Sequence, residues 1–378
     1  MRRALFMTVL YLLLAVRPSY AQNTREAEIV WDTWGVPHIT AAHNDGWFYG
    51  FGWAQAHNHL NLLLKLYGES RGRAAEYWGE DFRDSDLRLR SVGIPQQGQR
   101  GYEQLDPEWQ HYLDTFAQGI NDYAAAHPDA IAEQNAVVLP VTPQDVVAHG
   151  LRVMRYEFVA RAGLNYARST WASGQAYTPD AAALMGSNGW AIAPSRAASG
   201  NALLVVNPHQ PWFEFGLWIE AHMITPDANM YGAALIGNPV ISVGFNESLG
   251  WTHTVNTHDG WDLYKLTLTE DGGYLLDGEA VPFETRVEEI RIRQPDDTFR
   301  TETHTFKTSV QGAVVAERGQ EALALRVVGD NTGYEMAVQW WQMGHARDFE
   351  SFEAVMRDIR IPMFTVIYAD RDGNIMHL

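Results

Sequence analysis

The chain has 378 residues, of which 46% are apolar and 20% charged, the composition of a folded globular protein rather than a disordered one. Against 46 Asp and Glu there are only 28 Lys and Arg, a formal net charge of −18, and such a surface repels nucleic acid and anionic membranes. Cysteine is absent, which excludes disulfides, thiol nucleophiles and Cys-ligated zinc and leaves core size as the source of stability.

Residues 1–21 read as a secretory leader: Arg2-Arg3, an apolar run from Ala4 to Val16, and Ser19-Tyr20-Ala21 as a small-x-small cleavage site. The run is short for a bilayer span, so the mature protein is expected to be periplasmic or secreted, with no membrane attachment. Residues 29–39 predict two short strands around a Gly35-Val36-Pro37 turn, with His38 a structural histidine. From Asp45, read as an N-cap, to Tyr67 the pattern is helical, with Leu60, Leu63, Leu64 and Tyr67 on one face. Gly50 and Gly52 are expected to let this helix approach a neighbour closely. His57 and His59, two apart, point to different faces and do not form a ligand pair. Residues 106–126 predict a second amphipathic helix, and Thr142-Pro143 opens a third. That third helix carries Glu157, an acid among apolar neighbours that is expected to be solvated.

The texture then changes. Residues 22–169 form a helical region, and 170–186, rich in Ala, Ser, Gly and Pro without a sustained period, read as a spacer. Residues 187–378 are strand-rich. Apolar and polar side chains alternate from Phe213 to Met223, and turns are marked by Glu270-Asp271-Gly272-Gly273 and Leu276-Asp277-Gly278. Strands over 286–293, 301–308 and 322–328 read as an exposed β insertion. A helix over 348–359, a strand over 365–369 and a turn at 370–374 complete the pattern, which predicts an α+β fold.

Chemistry concentrates at Gly186-Ser187-Asn188-Gly189-Trp190. A serine between glycines has room around its backbone, which suits a nucleophile and equally a tight turn. Asn207-Pro208-His209-Gln210-Pro211-Trp212 follows, then Gly250-Trp251-Thr252-His253-Thr254-Val255-Asn256 with Asp259 and Asp262. Together with Gly35-Val36-Pro37-His38-Ile39 and Gly72-Arg73-Ala74-Ala75-Glu76, this ordered set resembles the penicillin acylase family of N-terminal nucleophile hydrolases over residues 29–378.

The resemblance implies an αββα sandwich of two packed sheets. It also implies a precursor that cleaves itself between Gly186 and Ser187 into a heterodimer of two chains. Ser187 would then be both nucleophile and, through its α-amine, its own base; such an amine has an unperturbed pKa near 8. Val255 matches the position whose backbone N–H binds the oxyanion, and His209 matches one that contacts the nucleophile. Glu157, Asp259 and Asp262 match ligands of a structural calcium; the chemistry itself uses no cofactor. Histidine at 209 favours an N-acyl-homoserine lactone as the small-molecule substrate, with a penicillin or cephalosporin (β-lactam) acylase as the alternative. The family's second oxyanion donor, an asparagine, would follow residue 378. The C-terminal part of the sandwich is therefore expected to be missing, and the fragment alone to be inactive. A competing class is a non-catalytic periplasmic binding protein gripping its ligand with some of the 14 tryptophans, which has no reason to be cleaved before Ser187. A Ser-His-Asp hydrolase is disfavoured because no Gly-x-Ser-x-Gly is present.

Overall fold

The computed structural model describes residues 26–175, 186–256, 259–330, 334–362 and 364–378; the expected leader and most of the expected spacer lie outside these. Strands β1 (Ala27–Trp31) and β2 (Pro37–Ala41) pair antiparallel around a turn in which Asp32 Oδ1 accepts the N–H groups of Trp34 and Val36 at 2.8 and 2.9 Å. Helices α1 (Asn44–Ser70), α2 (Ala74–Trp78), α3 (Arg83–Ser91), α4 (Ile94–Gln104), α5 (Pro107–Ala126), α6 (Pro143–Leu151) and α7 (Arg161–Asn165) follow. A π-helical stretch, Arg152–Ala160, joins α6 to α7, and a second, Tyr166–Ala172, continues it.

Two helix starts form as the sequence predicts. Asp106 caps α5 by accepting from Trp109 N, and Thr142 and Asp145 form a reciprocal capping box on α6. The start of α1 differs: the N-cap position is His43, and Asp45 lies in the first turn, where its carboxylate takes the N–H of Gly46 and faces His111 at 3.3 Å. The helix also kinks at His59 (φ −146°, ψ 34°). The glycines do what their size suggests. A Cβ on Gly52 would lie 2.1 Å from the carbonyl oxygen of Phe116 on α5, and one on Gly119 of α5 would lie 2.1 Å from the carbonyl oxygen of Tyr49 on α1. The two helices therefore touch backbone to backbone at both points.

The strand-rich region contributes β3 (Gly186–Ile192), β4 (Leu203–His209), β5 (Trp218–Ile224), β6 (Asn229–Leu235), β7 (Val243–Asn246), β8 (Leu249–Val255) and β9 (Trp261–Thr267). After these come β10 (Tyr274–Leu276), β11 (Glu279–Val281), β12 (Glu284–Arg293), β13 (Phe299–Ser309), β14 (Gly312–Arg318) and β15 (Glu321–Val327). Helices α8 (Glu335–His345) and α9 (Phe349–Met356) and strands β16 (Phe364–Asp370) and β17 (Ile375–His377) complete the chain. An eight-stranded sheet runs β1-β2-β5-β6-β7-β8-β16-β17, antiparallel except where β2 meets β5.

Strand alternation gives β8 two distinct faces. Trp251 and His253 point into the helical layer, against Phe352 and Trp340, while Gly250 and Thr252 point the other way, against Leu204 and Gly189 of the β3–β4 hairpin. The layers are thus helices, the eight-stranded sheet and a second sheet, which among the described residues consists of β3 and β4; this is an α+β arrangement. The outer face of the hairpin exposes Trp190, Ile192, Leu203 and Val205.

The β insertion is a five-stranded sheet, β12-β13-β14-β15-β9, and it is docked rather than free. Arg90–Glu288, Arg83–Glu302 and Arg291–Glu76 tie it to the short helices at 3.1, 2.7 and 2.8 Å. Strand β5 starts at Trp218, later than alternation suggests, because Phe213–Gly216 close into a turn with Glu214 at φ 52°. No helix among the described residues is long and apolar enough to cross a membrane.

Since α1 and α5 meet without side-chain clearance, Gly52→Ala must push the helices apart. A loss on the order of 1–3 kcal/mol is expected, read as a lower urea midpoint with an unchanged slope.

Candidate functional site

Ser187 is the second residue of β3, and in the hairpin register Gly186 pairs with His209, Ser187 with Pro208 and Asn188 with Asn207. The Ser187 hydroxyl donates to the carbonyl oxygen of Gly186 at 2.5 Å, which holds Oγ beside the peptide bond joining the two residues. His209 stands on the other face of the hairpin from the Ser187 side chain: it is paired with Gly186, where a Cβ would lie 3.9 Å from its Nδ1. Its Nε2 lies 3.1 Å from Asn207 Nδ2. With the amide donating, Nε2 carries the lone pair and the proton sits on Nδ1, facing Gly186. Ser187 is half-buried and His209 exposed.

Val255 is the last residue of β8, opposite Phe364 of β16, and is half-buried. Two residues earlier His253, which sequence reading passes over, is buried and doubly bonded. Trp340 donates its indole N–H to Nε2 at 2.8 Å, and Nδ1 donates to the Thr365 carbonyl at 3.1 Å. Burial pushes its pKa down to about 4, so the ring is neutral, and it pins β8 both to α8 and to β16. No local signal marks this: both partners lie far along the chain. His38, read as structural, faces His222 across the parallel β2–β5 pair, Nδ1 to Nδ1 at 2.9 Å.

The acidic residues do not converge. Glu157 is buried rather than solvated, because arginines surround it: Oε2 is 2.6 Å from Arg161 Nη1 and Oε1 is 3.7 Å from Arg152 Nε. Asp259 is exposed, and Asp262 is exposed on β9 opposite Arg326. Among the described residues no three His, Cys, Asp or Glu are grouped to hold a metal ion. A groove of about 540 Å³, lined in part by Leu204, Val206, Phe245 and Leu249, lies beside β4 at the end away from His209.

A helical layer, a sheet, and a hairpin on that sheet whose first strand opens with Gly186-Ser187 make an α+β protein. The chain belongs to the penicillin amidase family, a family of amide-cleaving hydrolases, whose model matches residues 26–378. It is 28% identical to acyl-homoserine lactone acylase PvdQ of Pseudomonas fluorescens, over 94% of this chain and 50% of that one. Aculeacin-A acylase of Actinoplanes utahensis is 25% identical, over 91% of this chain and 48% of that one. A thermostable penicillin G acylase structure from Alcaligenes faecalis is 21% identical with a TM-score of 0.44, over 50% of this chain and 34% of that one. The chain spans about half the length of the relatives it matches.

The buried histidines set a pH dependence. His253 is held at about 4, and His149, whose Nε2 donates to the Ile236 carbonyl at 2.9 Å, is pushed to about 3 by burial and then by the Arg152 charge. Both lie below the ordinary value of 6.5, so the unfolded chain takes up protons that the folded chain refuses. Their contribution is complete above pH 6.5 and is lost as pH falls through about 4 and then 3. Urea midpoints should therefore drop from neutral pH towards pH 4, and His253→Gln should flatten that slope by removing on the order of 3 kcal/mol of linkage.

Proposed function

We propose that this chain carries the nucleophile of an acylase that cleaves the amide of an N-acylated small molecule, with an N-acyl-homoserine lactone as first choice. In this reading a serine exposed by self-cleavage performs the attack. The observation that carries it is the Ser187 hydroxyl at 2.5 Å from the Gly186 carbonyl oxygen, with His209 opposite Gly186. Attack of Oγ on the Gly186 carbonyl carbon transfers the acyl group from nitrogen to oxygen and a proton to the departing nitrogen. Water then hydrolyses the ester, leaving a Gly186 carboxylate and a Ser187 α-amine. That amine, with an unperturbed pKa near 8, takes the hydroxyl proton when Ser187 attacks the substrate amide.

The resulting acyl-enzyme is cleared by water. The Val255 N–H is assigned to the oxyanion; donors of this kind contribute about 2.7–4 kcal/mol where one has been removed. The family resemblance assigns His209 to the nucleophile's surroundings; here its ring stands on the Gly186 face of the hairpin, so that role requires the ring to turn towards Ser187. The names of the relatives and the histidine at 209 support the substrate class. Since those relatives are about twice as long, the activity is assigned to the whole protein, as two chains cut from one exported precursor.

Intact mass and N-terminal sequencing of the full-length protein, expressed with its export signal, should find a chain beginning at Ser187, and Ser187→Ala should abolish it. Amide hydrolysis by an uncleaved chain would refute the mechanism, and a chain neither cleaved nor active would favour the binding-protein reading. For the substrate, release of homoserine lactone from acyl chains of graded length is compared with release of the amine from benzylpenicillin. Each buried methylene, at about 0.8 kcal/mol, should raise kcat/KM about fourfold until the pocket is full. A preference for benzylpenicillin over every acyl length would transfer the assignment to β-lactams.

A further inference from the structure

Glu157 is where the family resemblance asks for calcium, and the residues present do not fit that ion. Calcium takes six to eight oxygens at roughly 2.3–2.6 Å. At Glu157, Oε2 is already 2.6 Å from a guanidinium nitrogen of Arg161, one helical turn on, and Oε1 faces Arg152. A divalent ion bound to this carboxylate would share the space with at least one permanent positive charge. Arg152 in turn pairs with Glu69 at 2.5 Å, Glu69 lies 3.9 Å from Lys65, and Lys65 pairs with Glu214 at 2.8 Å. The six groups alternate in sign along a line, Glu214, Lys65, Glu69, Arg152, Glu157, Arg161, three carboxylates against three cations. No charge in this line is left for a metal to neutralise.

The family resemblance would have the ion join the helical region to the start of β9. Gly163, two residues beyond Arg161, packs so closely on Trp261 that a Cβ would lie 2.6 Å from the indole ring, and Trp261 sits between Asp259 and Asp262. The helical region and the start of β9 therefore meet here.

We propose that the Arg161 guanidinium supplies to Glu157 the positive charge for which the family resemblance implies calcium, and that this junction is held by the protein's own side chains and binds no calcium. The inference rests on family membership and on this geometry, not on the acylase assignment. It is tested by thermal unfolding of the full chain in millimolar calcium and in EGTA. The two Tm values should agree within about 1 °C, since even a modest ligand stabilisation moves the Tm of a protein this size by more. Arg161→Gln should lower Tm by several degrees in both buffers, because it strips a buried carboxylate of its partner, while Arg161→Lys should recover most of the loss. A saturable rise of the unaltered chain's Tm with calcium overturns the proposal. So does calorimetric calcium binding that Glu157→Gln abolishes, or an Arg161→Gln Tm equal to that of the unaltered chain. If Arg161→Gln does not fold, the calcium and EGTA comparison on the unaltered chain decides alone.

Discussion

The Ser187 strand lies on β8 and β16 through a close contact at Gly189. A Cβ at Gly189 would stand 2.6 Å from Ile367 Cδ1 and 3.0 Å from Thr252 Cγ2, so a larger residue there would make these side chains shift. Side chains two apart share a strand face, and Ser187 therefore turns to the same side as Gly189, towards the sheet. The second glycine of the Gly-Ser-Asn-Gly-Trp motif thus packs closely on the sheet, on the face to which the serine turns.

Beneath the hairpin, β8 is fixed from its other face. Trp251 donates its indole N–H to the Ser242 carbonyl at 2.9 Å, and His253 is clamped between Trp340 and Thr365. A neutral imidazole with both nitrogens engaged has one tautomer and one orientation, which gives β8 a single height relative to α8. Val255 comes two residues later on that strand. Under the proposed mechanism its N–H must wait where the oxyanion will form, and a strand held on both faces moves little.

The helical layer reaches the same end by different physics. Helices α1 and α5 meet through paired glycines, and the alternating charges from Glu214 to Arg161 run from the strand-rich region through α1 to α7. Buried ion pairs of this kind add little net stability, because desolvation offsets the attraction, but losing one member leaves a bare charge at a cost of about 3–5 kcal/mol. Their effect is to specify one arrangement of these elements over its neighbours.

Local chemistry was readable from the residues themselves. The cap at Thr142, the close-packing glycine of α1, the hairpin turns and the order of motifs around Ser187 each depend on a few adjacent residues, and the family followed from that order. Elements buried on several sides were not readable: α8, with Met336, Ala337, Val338 and Trp340 all in the core, shows no clean polar face for a period to appear in. The same limit hid His253, whose two partners lie 87 and 112 residues away. It also led to Glu157 being read as solvated, because nothing nearby in sequence says that Arg152, after pairing with Glu69 across the helical layer, turns its Nε to this carboxylate. The sequence alone determined which residues are chemically equipped and in what order they come. Only the tertiary structure decided which charges neutralise one another and which strand face each side chain takes, because burial and long-range pairing are properties of the packed chain and not of any segment of it.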